Sequence, residues 1–129
     1  MAYQIEWLDD QPVVIITMTS MRMHDLYSVF RAVAHHAGGQ PTFVIYDCTR
    51  FDLTYREIEQ WMQTQSMGMR GSITDSTTQT IIVGKSNALR DVVEAFERDD
   101  YGNVYVGMYG TLREAMNHAR DGYRIFGAW

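Results

Sequence analysis

Residues 13–46, VVIITMTSMRMHDLYSVFRAVAHHAGGQPTFVIY, decide the fold. Val13 to Met18 is a solid apolar strand. From Asp25 the spacing changes, because Leu26, Val29, Phe30, Val33 and Ala37 fall on one stripe of a helix. Gly38-Gly39 and then Pro41 stop that helix, as a C-terminal glycine and a following proline do. Phe43 to Tyr46 is again a continuous apolar strand. A strand, a helix and a second buried strand within 34 residues make a β-α-β unit, which implies parallel pairing and a right-handed crossover.

The same rhythm extends in both directions. Upstream, Tyr3 to Leu8 alternates, and Asp9-Asp10-Gln11-Pro12 supplies a turn into Val13, forming an antiparallel hairpin. Downstream, Thr54-Tyr55-Arg56-Glu57 has the Ser/Thr-x-x-Glu form of a capping box, opening a helix with Ile58, Trp61 and Met62 inside. Met67 to Gln79 reads as a connection, long enough to suggest mobility or function. Thr80 to Val83 is the next strand, and Ser86 caps a helix carrying Leu89, Val92, Val93 and Phe96. Asn103 to Gly107 is read as the last strand. Thr111-Leu112-Arg113-Glu114 is a second capping box, starting a helix with Leu112, Ala115, Met116 and Ala119 on its inner side.

The expected architecture is α/β: a single domain over residues 1–129, order ββαβαβαβα, with a mainly parallel five-stranded sheet, an N-terminal antiparallel hairpin and four helices. Continuously apolar central strands require cover on both sheet faces. If strands add in one direction, right-handed crossovers put the helices on one face, leaving the other to the amino-terminal elements or a second subunit. A homodimer is expected on that ground. If the order reverses, helices cover both faces and a crevice opens at the reversal.

Composition narrows the function classes. The chain has 129 residues, 46% hydrophobic and 21% charged, with a formal net charge of -5, one Cys and nine Met. That suffices for one core without staples, and the lone Cys48 has no partner in its own chain. No apolar run approaches a membrane span and no signal peptide is read, so the expectation is a cytoplasmic protein. The negative charge argues against a nucleic-acid footprint. The ten Arg are spread among acids, so their excess over the single Lys reads as composition bias.

The hairpin followed by four helices, and the ending Val106-Gly107-Met108-Tyr109-Gly110-Thr111-Leu112-Arg113-Glu114-Ala115, resemble the STAS domain family, named for sulfate transporters and anti-sigma-factor antagonists, and especially its small stand-alone bacterial members. The resemblance covers nearly the whole chain. It implies regulation or binding rather than catalysis. In signalling members a Ser or Thr just before the second helix is phosphorylated by a partner kinase; the matching place is Asp52-Leu53-Thr54. Tyr55-Arg56 stands where that family usually has small residues and glycine.

Candidate chemistry gathers at the carboxyl edge of the sheet, where each crossover begins. Arg22, Arg50, Arg56 and Lys85 belong there with helix amino termini, but Asp25, Asp47, Asp52 and Glu57 match them in charge. The apolar side chains in the same loops, Met21, Met23, Phe51, Leu53, Met108 and Tyr109, suit an adaptable binding surface. The candidate partner- or ligand-binding set is Met21, Arg22, Met23, His24, Arg50, Phe51, Asp52, Tyr55, Arg56, Gly84, Lys85, Ser86, Met108 and Tyr109, with Thr54 as a phosphorylation candidate or simple helix cap. Gly84-Lys85-Ser86-Asn87 lacks the earlier glycine of a nucleotide-hydrolysing loop, which leaves a turn and cap or a weak anion site. His35-His36 ends a helix, and His24 and His118 lack the spacing of a metal site. Cys48 reads as a buried structural thiol.

No catalytic motif, cofactor or metal site is expected. Two functions stand open: a regulatory protein-interaction module, or a binder of a small apolar or anionic ligand, lipid or nucleotide, at the carboxyl edge.

Overall fold

The computed structural model describes residues 3–8, 11–19, 23–50, 54–98 and 104–126, with backbone alone at 23, 24, 55 and 123–126. The elements are β1 (Tyr3–Trp7), β2 (Val13–Met18), α1 (Met23–Ala37), β3 (Thr42–Asp47), α2 (Tyr55–Gln65), β4 (Thr78–Val83), α3 (Asn87–Phe96), β5 (Gly107–Tyr109) and α4 (Leu112–Phe126). The five strands lie in the order β1-β2-β3-β4-β5, with β1 antiparallel to β2 and every later pairing parallel. The strands therefore add in one direction, and no reversal crevice forms.

The alternation of side chains along each strand divides the interior in two. On one face Val14, Ile16, Val44, Tyr46 and Ile82 meet Leu26, Val29 and Phe30 of α1, Ile58 and Trp61 of α2, and Leu89, Val92 and Phe96 of α3. On the other, Val13, Ile15, Phe43, Ile45, Ile81 and Val83 pack with Ala115 and Ala119 of α4. That corrects the sequence expectation for the second face. α4, which follows the last strand and owes nothing to the crossover rule, turns onto it, with Leu8 packed beside it. The face that motivated the expectation of a dimer is therefore not bare within one chain. Small residues let α4 approach closely, since a Cβ on Gly122 would meet Phe43 Cζ at 2.8 Å.

The last strand also shifts. It was expected over Asn103–Gly107 but runs Gly107–Tyr109, so Met108 and Tyr109, placed in a loop by the sequence pattern, are strand residues paired with Ile82 and Val83. Asn103 lies outside the described residues. The Val104 N–H donates to the Phe96 carbonyl at 2.6 Å, so this stretch satisfies the end of α3 instead of pairing with β4. Val106 is buried on the three-helix face all the same.

The connection between α2 and β4, a strap over residues 66–77, has no helix or strand, yet it is densely tied. Gln65, fully buried, fastens it: Gln65 Oε1 accepts from the Ile73 N–H at 2.8 Å and Nε2 donates to Tyr46 Oη at 3.1 Å. The Gln65 carbonyl accepts from the Thr74 hydroxyl at 2.8 Å. Asp75 Oδ2 takes the Gly71 N–H at 2.7 Å, and Oδ1 takes both the N–H and the hydroxyl of Thr77. Burial pushes the Asp75 carboxyl up, but hydrogen bonds from Gly71, Thr77 and Thr78 together outweigh it and hold the group below its ordinary range. The strap is part of the core wall, because Ile73 is buried against the three-helix face.

Candidate functional site

Three strand ends are laced together at the carboxyl edge. The Cys48 N–H donates to the Val83 carbonyl at 3.0 Å, and the Gly84 N–H to the Tyr109 carbonyl at 2.9 Å. These bonds extend the ladder one residue past the strands and set the heights at which the α2, α3 and α4 loops leave the sheet.

The helices α2, α3 and α4 that start here each begin on a side-chain cap. Thr54 Oγ1 accepts from the Glu57 N–H at 3.2 Å and donates to Glu57 Oε1 at 2.9 Å, while the Thr54 N–H donates to the same oxygen at 3.1 Å. The capping box is complete, and the exposed Thr54 hydroxyl is engaged within it. Ser86 Oγ accepts from the Leu89 N–H at 3.2 Å, opening α3. Thr111 Oγ1 likewise accepts from the Glu114 N–H at 3.2 Å and donates to Glu114 Oε1 at 3.0 Å. Gly84 has a packing reason of its own, because a Cβ there would lie 2.3 Å from Leu89 Cδ1.

Of the proposed binding residues, Met21, Arg22, Phe51 and Asp52 lie outside the described residues, as does Leu53, and Met23, His24 and Tyr55 are described by backbone only. Arg50 and Arg56 are exposed beside Thr54 in the chain. Gly84, Lys85, Met108 and Tyr109 come together. With Arg90, Val93 and Glu94 of α3 they line an open groove of about 620 Å³ between α3 and β5, next to the Ser86 cap. The Lys85 stem lies across Gly110, where a Cβ would meet Lys85 Cε at 2.9 Å. Lys85 and Arg90 are exposed, Val93, Met108 and Tyr109 half-buried. The groove thus pairs an apolar floor with a mixed rim, on which Lys85 and Arg90 outnumber the exposed Glu94.

Arg90 and Val93 were missing from the sequence-derived set, Val93 having been assigned to the buried stripe. Their positions four and seven residues beyond the Ser86 cap place them on the flank of α3, and only the strand order reveals that β5 lies beside that flank.

Other candidates have structural occupations. Tyr109 Oη and His118 Nδ1 are 2.7 Å apart, joining β5 to α4. His36 stacks on Trp7 with ring centroids 3.7 Å apart, tying the end of α1 to β1. Among the described residues no group of His, Cys, Asp and Glu is arranged to hold a metal ion. Cys48 is 4% exposed, and burial, with the Asp47 charge adding to it, pushes its thiol up to about 12. A raised thiol favours the neutral form, so folding loses stability as pH climbs above the unfolded thiol's range near ~8.5. Folded protein at pH 7 is expected to leave Cys48 unmodified by Ellman's reagent over the time in which urea-unfolded protein reacts fully. Rapid labelling without denaturant would contradict this.

Comparison with solved structures places the architecture. The chain superimposes on the crystal structure of an uncharacterised protein of the DUF3478 family from Shewanella loihica PV-4, described as having a SpoIIAA-like fold. The match has a TM-score of 0.60 and covers 92% of each chain at 12% sequence identity. The fold is SpoIIAA-like, the STAS fold. Likeness at that identity speaks for the STAS-like backbone alone. No family model matches the chain, and comparison with curated proteins found no match. Among the described residues no helix of this STAS-like domain is long and apolar enough to cross a membrane.

Proposed function

We propose that this STAS-like domain is a non-enzymatic regulatory module of the cytoplasm that engages a protein partner through its carboxyl edge. The supporting observation is the α3–β5 groove, where exposed Lys85 and Arg90 border the half-buried Val93, Met108 and Tyr109. A flexible methionine and an aromatic ring give adaptable apolar contact, and the two cations, set against the single acid Glu94, favour an acidic counterpart. Thr54 supplies the regulatory element of the reading. A phosphate on its hydroxyl would replace the donation to Glu57 with like-charge repulsion, loosening the start of α2, while Arg50 and Arg56 stand near in sequence to receive the new charge.

The test compares pull-downs from one lysate. A partner recovered by wild-type protein is expected to be lost with Lys85→Glu/Arg90→Glu and kept with Thr54→Ala, which removes only the cap at a cost of about 1 kcal/mol. Recovery of the same proteins by all three would overturn the reading.

A second reading rests on the size of the groove, which falls within the range of small-molecule sites. A small amphipathic anion could occupy it. Native mass spectrometry of freshly purified protein would then show a bound species that the Lys85→Glu/Arg90→Glu variant lacks.

A further inference from the structure

A second recognition surface lies away from that groove, along α1. The strap leaves α2 at the amino end of the sheet and folds back against α1 before entering β4, and the closeness of the two backbones is unusual. Gly71 has φ +86°, and a Cβ on it would lie 2.7 Å from the Phe30 carbonyl oxygen. The strap is therefore pressed onto α1 backbone to backbone, with the Gln65 and Asp75 bonds holding it there.

Two hollows open along this seam. One, of about 370 Å³, is bordered by Tyr27, Arg31, Ala34, Met69 and Arg70. The other, of about 330 Å³, shares Ala34 and Arg70 and continues past them toward Thr42 and Thr78, where β3 and β4 begin. Arg70 borders both. Met67, next in the strap, is 64% exposed and is one of two large hydrophobic side chains so exposed among the described residues. Arg31 and Arg70 are both exposed, and neither forms an ion pair with a described residue. Asp75 borders the second hollow, but its oxygens are occupied by the strap's own N–H and hydroxyl groups.

We infer that the α1–strap seam is a docking surface for an acidic, amphipathic peptide segment of a partner protein. Its apolar side chains enter the hollows against Tyr27, Ala34 and Met69, with the exposed Met67 of the strap adding apolar contact, and its carboxylates meet the guanidinium groups of Arg31 and Arg70. The argument for this occupant is charge complementarity: two exposed guanidinium groups without an ion-pair partner among the described residues border one hollow and suit carboxylate recognition. Two hollows that share Ala34 and Arg70 suit a ligand that presents more than one side chain. An anionic membrane fits less well. Paired concavities accept side chains where a bilayer presents a plane. Because the strap is tied down before any ligand arrives, little ordering cost falls on binding. This inference goes beyond the carboxyl-edge reading and uses different residues.

The experiment titrates isotopically labelled protein with a synthetic amphipathic helix carrying Leu at every third and fourth position and Glu elsewhere, with its Lys counterpart and anionic phosphatidylglycerol vesicles as separate arms. Saturable amide shifts are expected for the Glu peptide at Tyr27, Arg31, Ala34 and residues 67–71, and none for the other two probes. Arg31→Glu/Arg70→Glu should weaken binding at least about tenfold, the scale of losing charge-assisted contacts. Met67→Ser, at an exposed position with no packing to lose, should weaken it to a smaller degree. Lys85→Glu/Arg90→Glu should leave it unchanged, which separates this surface from the α3–β5 groove. Absence of saturable binding, shifts at the α3–β5 groove, indifference to the arginine variant, or equal binding to the vesicles would each overturn the inference.

Discussion

A Gln65→Met variant is expected to unfold about 2–4 kcal/mol more easily than wild type in urea, a large fraction of the stability of a domain this size. Methionine preserves the length and apolar stem of glutamine and removes both amide functions. The Ile73 N–H then loses its acceptor and Tyr46 Oη its donor, in places where water does not reach either group. Each orphaned buried polar group costs its desolvation, whereas the intact bond is worth far less on balance. Tyr46 sharpens the case. Burial pushes its phenol well above the ordinary range, with the Cys48 charge adding to it and the Gln65 bond opposing, so ionisation offers no escape from the missing partner. Amide exchange at Ile73 should rise toward the rate set by local opening, since the strap would be released before the sheet. A loss below about 1 kcal/mol would show that the strap holds by packing alone.

Gly71→Ala is expected to cost about 2–3 kcal/mol, of which roughly 1–2 is the left-handed backbone conformation itself. The remainder is the approach to Phe30. The atom that a Cβ would meet at 2.7 Å is a backbone carbonyl oxygen, so relief requires α1 and the strap to part. Gly68 is the control. It also has positive φ, at +72°, but a Cβ there meets nothing within 4 Å, so Gly68→Ala should show the conformational cost without the clash. Equal losses at the two glycines in urea denaturation would remove the close approach from the account, and with it the rigidity of the seam between α1 and the strap.

Much of the architecture was legible because local chemistry and global packing agree. Thr54 and Thr111 each carry Glu three residues on; the box at Thr54 is complete, and at Thr111 the hydroxyl accepts from the Glu114 N–H and donates to its carboxylate. The α1 stripe and the Gly38-Gly39 stop give the helix its length and end. What escaped depended on contacts distant in sequence. Val104-Tyr105-Val106 alternates like a strand, but its first N–H is spent on the end of α3. Ala115 and Ala119 mark an inner stripe without saying which sheet face receives it. Gln65, polar and near a helix end, carried no sequence signal of burial; its burial depends on a strap whose path no short window encodes. The same holds for the binding edge. Lys85, Met108 and Tyr109 follow from strand ends, whereas Arg90 joins them only because β5 lies beside α3.

The two-sided sheet bears on how pairing is kept in register. In a sheet with one wet face, sliding a strand by one residue sends polar side chains inward, and the error is punished by polarity. Here Val13 and Ile15 face one core, Val14 and Ile16 the other, and β3 repeats the pattern with Phe43 and Ile45 against Val44 and Tyr46. A slip by one would exchange apolar for apolar. Shape has to discriminate where polarity does not: the ring of Phe43 fits where α4 offers Gly122, and the hydroxyl of Tyr46 meets the one amide placed to donate to it. Alignment information in this protein therefore sits less in its strands than in a glycine and a glutamine on the helices that cover them.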